Sequence, residues 1–307
     1  MAEIDRKAGL GDNESVMHTG IRRKDRVSTE QIARSVPVIR QTESPRSAAE
    51  HPRSHKPNES RDRTLSCRYE LKYRISESQA AAIREYIRPY LPLDKYSKDK
   101  PRNEYSISSL YFDSEQLSLY RETRTGKKNR FKLRIRAYAD GEYEPRFAEI
   151  KRRINGVIIK SRAKILPDQV PDVIAGKRIV LPHEIDDESL KQFQLYFKSI
   201  NARPVTLVRY KRQAFEGDDD NRVRITFDRN LQFKSTKQPI VTVNGGGWQS
   251  VSMDFVVLEL KFTARYPMWL THLVKSFALP QSAMSKYGAS VEQACEDGFC
   301  APQVGVF

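Results

Sequence analysis

Lys132, Arg134 and Arg136 sit at alternate positions of Phe131-Lys-Leu-Arg-Ile-Arg-Ala137, with Phe131, Leu133 and Ile135 between them. Successive side chains of a β-strand point to opposite faces, so this segment is expected to be apolar on one face and cationic on the other. The pattern recurs in Glu149-Ile-Lys151-Arg-Arg153, Lys160-Ser-Arg162-Ala-Lys164, Arg222-Val-Arg224-Ile-Thr226 and Glu259-Leu-Lys261. Such strands side by side make a surface for a polyanion. A guanidinium meets two phosphate oxygens at once and an ammonium supplies a compact charge, so phosphate suits it. Glu70, Glu149 and Glu259 stand two positions from Lys72, Lys151 and Lys261. Each pair would let a carboxylate hold a divalent metal beside a cation that holds phosphate. If the polyanion is a phosphorylated substrate, chemistry on it would ask for alignment and charge neutralisation rather than covalent work by the protein; nucleic acid, polyphosphate and a membrane surface are the other anionic partners such a surface could hold.

Strands must carry these faces. Residues 66–75, 106–112, 131–139, 144–154, 157–165, 205–215, 223–228 and 255–262 read as strands from alternation and β-branched or aromatic content. Asn155-Gly156 between two of them predicts a tight hairpin turn. Helices are expected over 76–90, where Ser76 and Gln79 form a capping-box pattern, and over 115–124, 167–175, 187–201 and 267–277. The fold class is α+β. An open sheet would display the charges to solvent; a closed antiparallel barrel would line its lumen with them and turn its apolar face to the helices. The barrel accounts better for the apolar faces, because helices are there to cover them.

Charge and composition narrow the partners. The chain has 307 residues, a net charge of +15 and a pI near 9.7. Residues 1–68 contribute +4 of that charge and residues 69–307 contribute +11, so the excess belongs mostly to the segment that looks folded. Residues 1–64 lack Phe, Tyr and Trp and are expected to be a disordered basic leader. The domain itself is expected over 65–295, followed by a tail over 296–307. An anionic partner is implied. P-loop, dinucleotide-binding, zinc and His-Glu-x-x-His spacings are absent, and of five histidines, His18, His51 and His55 fall in the leader. No RNA-recognition signature or basic helical stripe points to nucleic acid. Cys67, Cys295 and Cys300 have no metal spacing and are expected as reduced thiols of a soluble, cytoplasmic protein. The stretch from Pro267 to Leu279 is too short to span a bilayer.

Read together, Arg68-Tyr-Glu70-Leu-Lys72-Tyr73, Ser109-Leu-Tyr-Phe-Asp113, Lys132-Leu-Arg134-Ile-Arg136, Glu149-Ile-Lys151, Tyr210-Lys-Arg212-Gln-Ala-Phe215, Val223-Arg224-Ile-Thr-Phe-Asp228, Leu258-Glu259-Leu-Lys261 and Ser285-Lys286-Tyr287 resemble the VTC domain. This is the polyphosphate polymerase domain of the vacuolar transporter chaperone family, within the triphosphate tunnel metalloenzymes that also include CYTH proteins. The resemblance covers roughly residues 66–290 and is to the stand-alone bacterial type. It implies an eight-stranded antiparallel tunnel with a basic lumen and helices packed outside. It implies binding of ATP and a divalent Mn2+ or Mg2+, with transfer of the γ-phosphate to a growing polyphosphate chain. Lys72, Arg134, Arg136, Lys151, Lys160, Arg212, Arg224 and Lys286 would contact phosphate, and Glu259 would bind the metal. Ser285, in the Ser-Lys element, falls near the phosphate path, and Ala283 stands where the eukaryotic polymerases carry a further lysine.

Other readings of the same residues stay open. Glu70 and Glu149 are further metal ligands, activators of a water, or simply partners of buried cations; Glu259 too is either a metal ligand or such a partner. Lys132, Lys261 and Tyr210 are candidates for substrate binding, although Lys132 could sit at the solvent end of its strand and Tyr210 in the wall. Arg153, Arg162 and Lys164 read as rim charges. Asp113 and Asp228 either orient tunnel arginines or end their strands. Besides the polymerase, a tunnel triphosphatase acting on tripolyphosphate or nucleoside triphosphates fits these residues, as does a non-catalytic module that binds polyphosphate or nucleotide. A membrane-associated partner and the oligomeric state are left open.

Overall fold

Alternation along the strands decides the architecture. The computed structural model describes residues 68–155, 157–217, 223–263 and 266–299; the expected leader, Gly156 of the hairpin and Arg222 lie outside the described residues. The strands are β1 Arg68–Ile75, β2 Tyr105–Asp113, β3 Arg130–Ala137, β4 Arg146–Ile154, β5 Val157–Ile165, β6 Arg203–Glu216, β7 Arg224–Ser235, β8 Gln249–Ser250 and β9 Val256–Thr263. The helices are α1 Glu77–Ile87, α2 Ser118–Arg124, α3 Val170–Ile174, α4 Glu184–Ser199, α5 Met268–Ser276 and α6 Lys286–Glu296. Eight antiparallel strands follow one another as β6-β2-β3-β4-β5-β1-β9-β7, and β7 pairs back onto β6 to curl the sheet into a ring. The short β8 pairs with the outer part of β7.

One seam of the ring is thin. β1 meets β5 only at Arg68 and Ile158, whereas it pairs with β9 along its whole length. Residues 281 and 282 cover part of the free edge: Tyr73 bridges Gln281, and the Ser282 N–H donates to the Lys72 carbonyl at 2.8 Å. This strap leads directly into α6.

The outer, apolar faces are covered as the pattern requires. Leu110, Leu133, Ile135, Ile150 and Ala163 pack under α3 and α4 through Val170, Val173, Leu190 and Phe193. Leu258, Leu260, Ile225 and Phe227 pack under α1 and α5 through Ala80, Ile83, Ile87, Leu270 and Leu273. Helix α1 starts as predicted, with the Ser76 hydroxyl accepting from the Gln79 N–H and the Gln79 side chain accepting from the Ser76 N–H. Helix α6 behaves differently. Its Tyr287, Val291 and Ala294 pack against Ile107, Tyr111, Val208 and Tyr210, side chains that alternate with the outward-facing Leu110 and Leu207. It therefore lies against the inner surface of the strands, not outside them.

Sequence and structure part in a few places. Helix α6 was not predicted, because Gly288, Ser290, Val291 and Cys295 interrupt its stronger helix formers. β7 runs seven residues past the predicted end at 228. Asn230 takes a left-handed backbone (φ 50°) beside a bulge opposite Arg209–Lys211, which breaks the alternation that the prediction followed. Cys295 is disulfide-bonded, which corrects the expectation of a reduced thiol there; Cys67 and Cys300 lie outside the described residues. Among the described residues no helix is long and apolar enough to cross a membrane.

Candidate active site

The inward-facing positions bring most of the predicted residues together around four carboxylates, Glu70, Glu149, Asp228 and Glu259, all buried or nearly so. Glu149 is 1 % exposed and gathers cations from two neighbouring strands. On β3, Arg134 holds its Oε2 through Nε at 2.7 Å, and Arg136 lies 3.8 Å away. On β5, Lys160 and Arg162 hold Oε1 at 2.9 and 2.6 Å. The register explains the meeting: Arg134, Glu149 and Arg162 are direct partners across β3, β4 and β5. Arg162, read from the sequence as a rim charge, thus belongs to the lumen. Arg153 and Lys164 are exposed, as expected.

The second group is centred on Glu259. Lys72, Lys261 and Lys286 approach it at 3.1, 2.9 and 3.1 Å, and Arg212 at 3.6 Å. Asp228 is gripped by Arg212 in a two-pronged contact at 2.6 and 2.7 Å, and by Lys286 at 2.6 Å. Of its two readings, orientation of a lumen arginine is the one the structure bears out. Tyr210 lies beneath both cations, with Arg212 and Lys286 at 5.3 and 4.8 Å from the ring centre. Glu70 holds Lys151 at 2.8 Å and Lys72 at 3.3 Å.

Lys132 and Ser285 meet across the thin part of the ring. The Lys132 ammonium donates to Ser285 Oγ at 2.7 Å, and that oxygen also caps α6 by accepting from the Gly288 N–H at 3.0 Å. Lys72 donates to the Met284 carbonyl at 3.3 Å. Lys132 is therefore not at the solvent end of its strand. Of the eight cations expected to contact phosphate, Arg224 is the one for which no contact with the four carboxylates is seen among the described residues; it pairs with Asp94 at 2.7 Å and with Glu216. Asp113 neither orients an arginine nor merely ends β2. Its oxygens accept from the N–H groups of Ser114, Leu119 and Tyr120 and from the Tyr287 hydroxyl at 2.7 Å. It thereby anchors α2 and α6.

Burial and mutual charge set the protonation states. Burial opposes ionisation of Glu149, but Arg136, Arg134, Lys160 and Arg162 outweigh it and hold the carboxyl well below the usual range. Burial is outweighed in the same way at Glu259 by Lys261, Lys286, Lys72 and Arg212, and at Glu70 by Lys261 and Lys151. The lysines divide. Lys286 is raised, because Asp228 and Glu259 outweigh its burial. Burial lowers Lys160 to about 7 and Lys151 to about 8, with Glu149 and Glu70 only partly offsetting it. Lys132, which has no acidic partner, is lowered well below its ordinary value by burial and by Lys72, Lys151, Arg130 and Arg134. A polyanion would raise all three. Binding of metal-free ATP at pH 8 is therefore expected to take up roughly one to two protons. Calorimetry in buffers of different ionisation enthalpy measures this, and no proton uptake would show that ATP does not contact these lysines.

Among the described residues no three Asp, Glu, His or Cys side chains converge on one point, so no cage made of protein alone is built. The donors do fit a metal that phosphate completes. Glu70 and Glu259 share the Lys72 ammonium at 3.3 and 3.1 Å, so a cation already sits where two carboxylates converge. Mg2+ and similar hard cations bind through one or two carboxylates plus substrate phosphates. Glu149 and Glu259 each face four cations; what singles out Glu259 is its convergence with Glu70 on one ammonium.

Vacuolar transporter chaperone complex subunit 4 of Schizosaccharomyces pombe is 22% identical over 266 residues, covering 73% of this chain. The chain spans 37% of the length of that relative. Among solved structures, a putative adenylate cyclase from Bacillus halodurans aligns over 72% of this chain and 94% of its own, with 9% identity and a TM-score of 0.42. The putative adenylyl cyclase HpAC1 from Hippeastrum, whose structure is described as revealing a dominant triphosphatase activity, aligns over 73% and 95%, with 16% identity and a TM-score of 0.41. A family model of the VTC domain matches residues 67–295, nearly the whole of the described ring and its helices, and the chain belongs to the VTC domain family.

Proposed function

We propose that this chain is an ATP-dependent polyphosphate polymerase that moves the γ-phosphate of ATP onto a growing polyphosphate chain inside the cationic lumen. The observation that carries the reading is the state of the lumen carboxylates. Glu149, Glu259 and Asp228 are each engaged by at least two cations and held below their ordinary pKa, which makes them weak bases. General-base activation of water, one route to hydrolysis, is therefore disfavoured at these carboxylates. A terminal phosphate of polyphosphate is already an anion and needs no deprotonation. One of its oxygens attacks the γ-phosphorus, the bond from that phosphorus to the β,γ-bridging oxygen breaks, and ADP leaves with the electron pair.

Arg134, Arg136, Arg212, Lys160 and Lys286 would spread along the phosphates and stabilise the charge on the transferring group. Arg212 is preset by Asp228 and Arg134 by Glu149, so little reorganisation is needed when the substrate enters. Lys72, Lys132, Lys151 and Lys261 would hold the remaining phosphates, and Ser285 would offer its hydroxyl together with the start of α6. Arg224, tied to Asp94 and Glu216, would act at the edge of this site. Glu259 and Glu70 would hold a Mn2+ or Mg2+ ion, which supplies charge neutralisation and polarises the transferring phosphate. Glu149 orients arginines.

The test is incubation of the full chain with ATP and Mn2+ while ADP, orthophosphate and chain length are followed together. The expected result is ADP in step with long polyphosphate and little orthophosphate. Orthophosphate or short products alone would replace the polymerase by a triphosphatase. No turnover, together with a large thermal shift on adding tripolyphosphate, would leave a binding module.

A further inference from the structure

Three tyrosines gather where the arginine wall reaches solvent. Tyr138 directly follows β3, and its hydroxyl accepts from Arg136 Nη1 at 3.5 Å and Arg162 Nη2 at 3.4 Å. Tyr105 opens β2; its hydroxyl accepts from Arg224 Nη2 at 3.3 Å and donates to Asp94 Oδ2 at 3.3 Å. Tyr96 lies nearly parallel to Tyr138, with ring centres 5.9 Å apart and planes 9° apart, and tilts against Tyr105 at 5.8 Å. Phe147 meets Tyr138 edge-on at 5.8 Å. The cluster is open on one side, because Tyr96 is 49 % exposed.

The loop that presents Tyr96 is pinned. The Asp94 N–H donates to the Ala214 carbonyl, and the Ala214 N–H donates back to Ser97 Oγ, both at 2.9 Å. The buried Asp94 carboxylate accepts from the Ser97 N–H at 2.7 Å and from Arg224 at 2.7 Å. An exposed ring held this firmly has lost its freedom before any ligand arrives, which lowers the entropy cost of stacking on it.

Phosphate has no use for aromatic faces, whereas every nucleobase stacks on them. Resting on the reading of the lumen as a nucleoside triphosphate site, we propose that Tyr96, backed by Tyr138 and Tyr105, is the platform for the nucleobase of the donor nucleotide. The order of groups along β3 fits. Tyr138, Arg136 and Arg134 follow at steps of two residues, about 6.6 Å each, which suits a base followed by its sugar and phosphates. The nucleotide then has a direction: its base lies at the tyrosines and its terminal phosphate points toward Lys286 and Glu259. The Lys95 ammonium lies over the Tyr96 ring, 5.2 Å from its centre, where a stacked base would meet it.

The experiment compares metal-free binding of ATP and tripolyphosphate to the full chain by calorimetry, for the parent, Tyr96→Ala and Tyr96→Phe. Tyr96→Ala should weaken ATP on the order of tenfold or more and leave tripolyphosphate unchanged, while Tyr96→Phe should bind both like the parent. Equal loss for the two ligands, or no loss for either, would overturn the platform. So would a parent that binds tripolyphosphate at least as tightly as ATP, with the phosphate site still standing. A parent that binds neither ligand would instead overturn the lumen reading on which the platform rests.

Discussion

Replacing Glu149 by alanine is expected to lower the stability of the unliganded protein by about 3–5 kcal/mol, and tripolyphosphate is expected to restore much of the loss. The carboxylate is 1 % exposed and is the shared partner of Arg134, Arg136, Lys160 and Arg162. Its removal leaves these cations facing one another without a counter-charge, in a place where water screens them poorly. Tripolyphosphate supplies the missing negative charge, and at a hundred times its Kd any ligand adds about 2.7 kcal/mol. Glu149→Gln keeps the shape and loses the charge, so it should behave like the alanine variant. Arg134→Ala provides the contrast: Glu149 keeps its other cations, so the fold should survive, while turnover should fall by roughly a thousandfold. The sign of the pH dependence follows. Folded Glu149 and Glu259 lie below their unfolded value of about 4.3. Their contribution is therefore complete above that pH and is lost as pH falls through the folded values. Urea unfolding with and without tripolyphosphate measures both effects. An alanine variant as stable as its parent would show that the cation cluster does not depend on Glu149.

Much of this was legible because period-two patterning survives in a barrel. In Lys132-Leu-Arg-Ile-Arg136 it states which side chains share a face, and the structure places Leu133 and Ile135 in the outer core and the cations inside. What alternation cannot state is which cations meet which carboxylate, since that depends on register between strands. Arg162 was read as a rim charge because its own strand gives no sign that it faces Glu149 across β4. The same limit concealed Asp94 and Tyr96, which lie in a loop and reach the wall through hydrogen bonds to β6, the pair with Arg224 and ring contacts with Tyr105 and Tyr138. Asp113 ends β2, one of its two expected readings, but its anchoring role was hidden for a related reason: its partners Leu119, Tyr120 and Tyr287 come from α2 and α6. These site differences concern contacts between elements, while the agreements concern faces within an element.

Glu259→Gln should separate metal use from phosphate binding. The glutamine has nearly the volume and shape of glutamate, so the packing around it is kept. The negative charge that faces Lys72, Lys261, Lys286 and Arg212 is lost. If Glu259 and Glu70 hold the metal, the variant should lose metal-dependent turnover by roughly a thousandfold, about 4 kcal/mol in the barrier. Metal-free tripolyphosphate should bind at least as tightly as to the parent, because the lumen has become more positive. The two effects have opposite signs, which a general loss of folding cannot produce. Asp228→Asn makes the comparison stricter. Asp228 is as buried as Glu259 and also pairs with Arg212 and Lys286, yet in this reading it orients the arginine and holds no metal. Its substitution should lower turnover without changing the metal concentration needed for half-maximal rate, whereas Glu259→Gln should raise that concentration steeply. Equal metal dependence in the two variants would mean that Glu259, like Asp228, only balances buried cations, and the metal would have to be placed elsewhere.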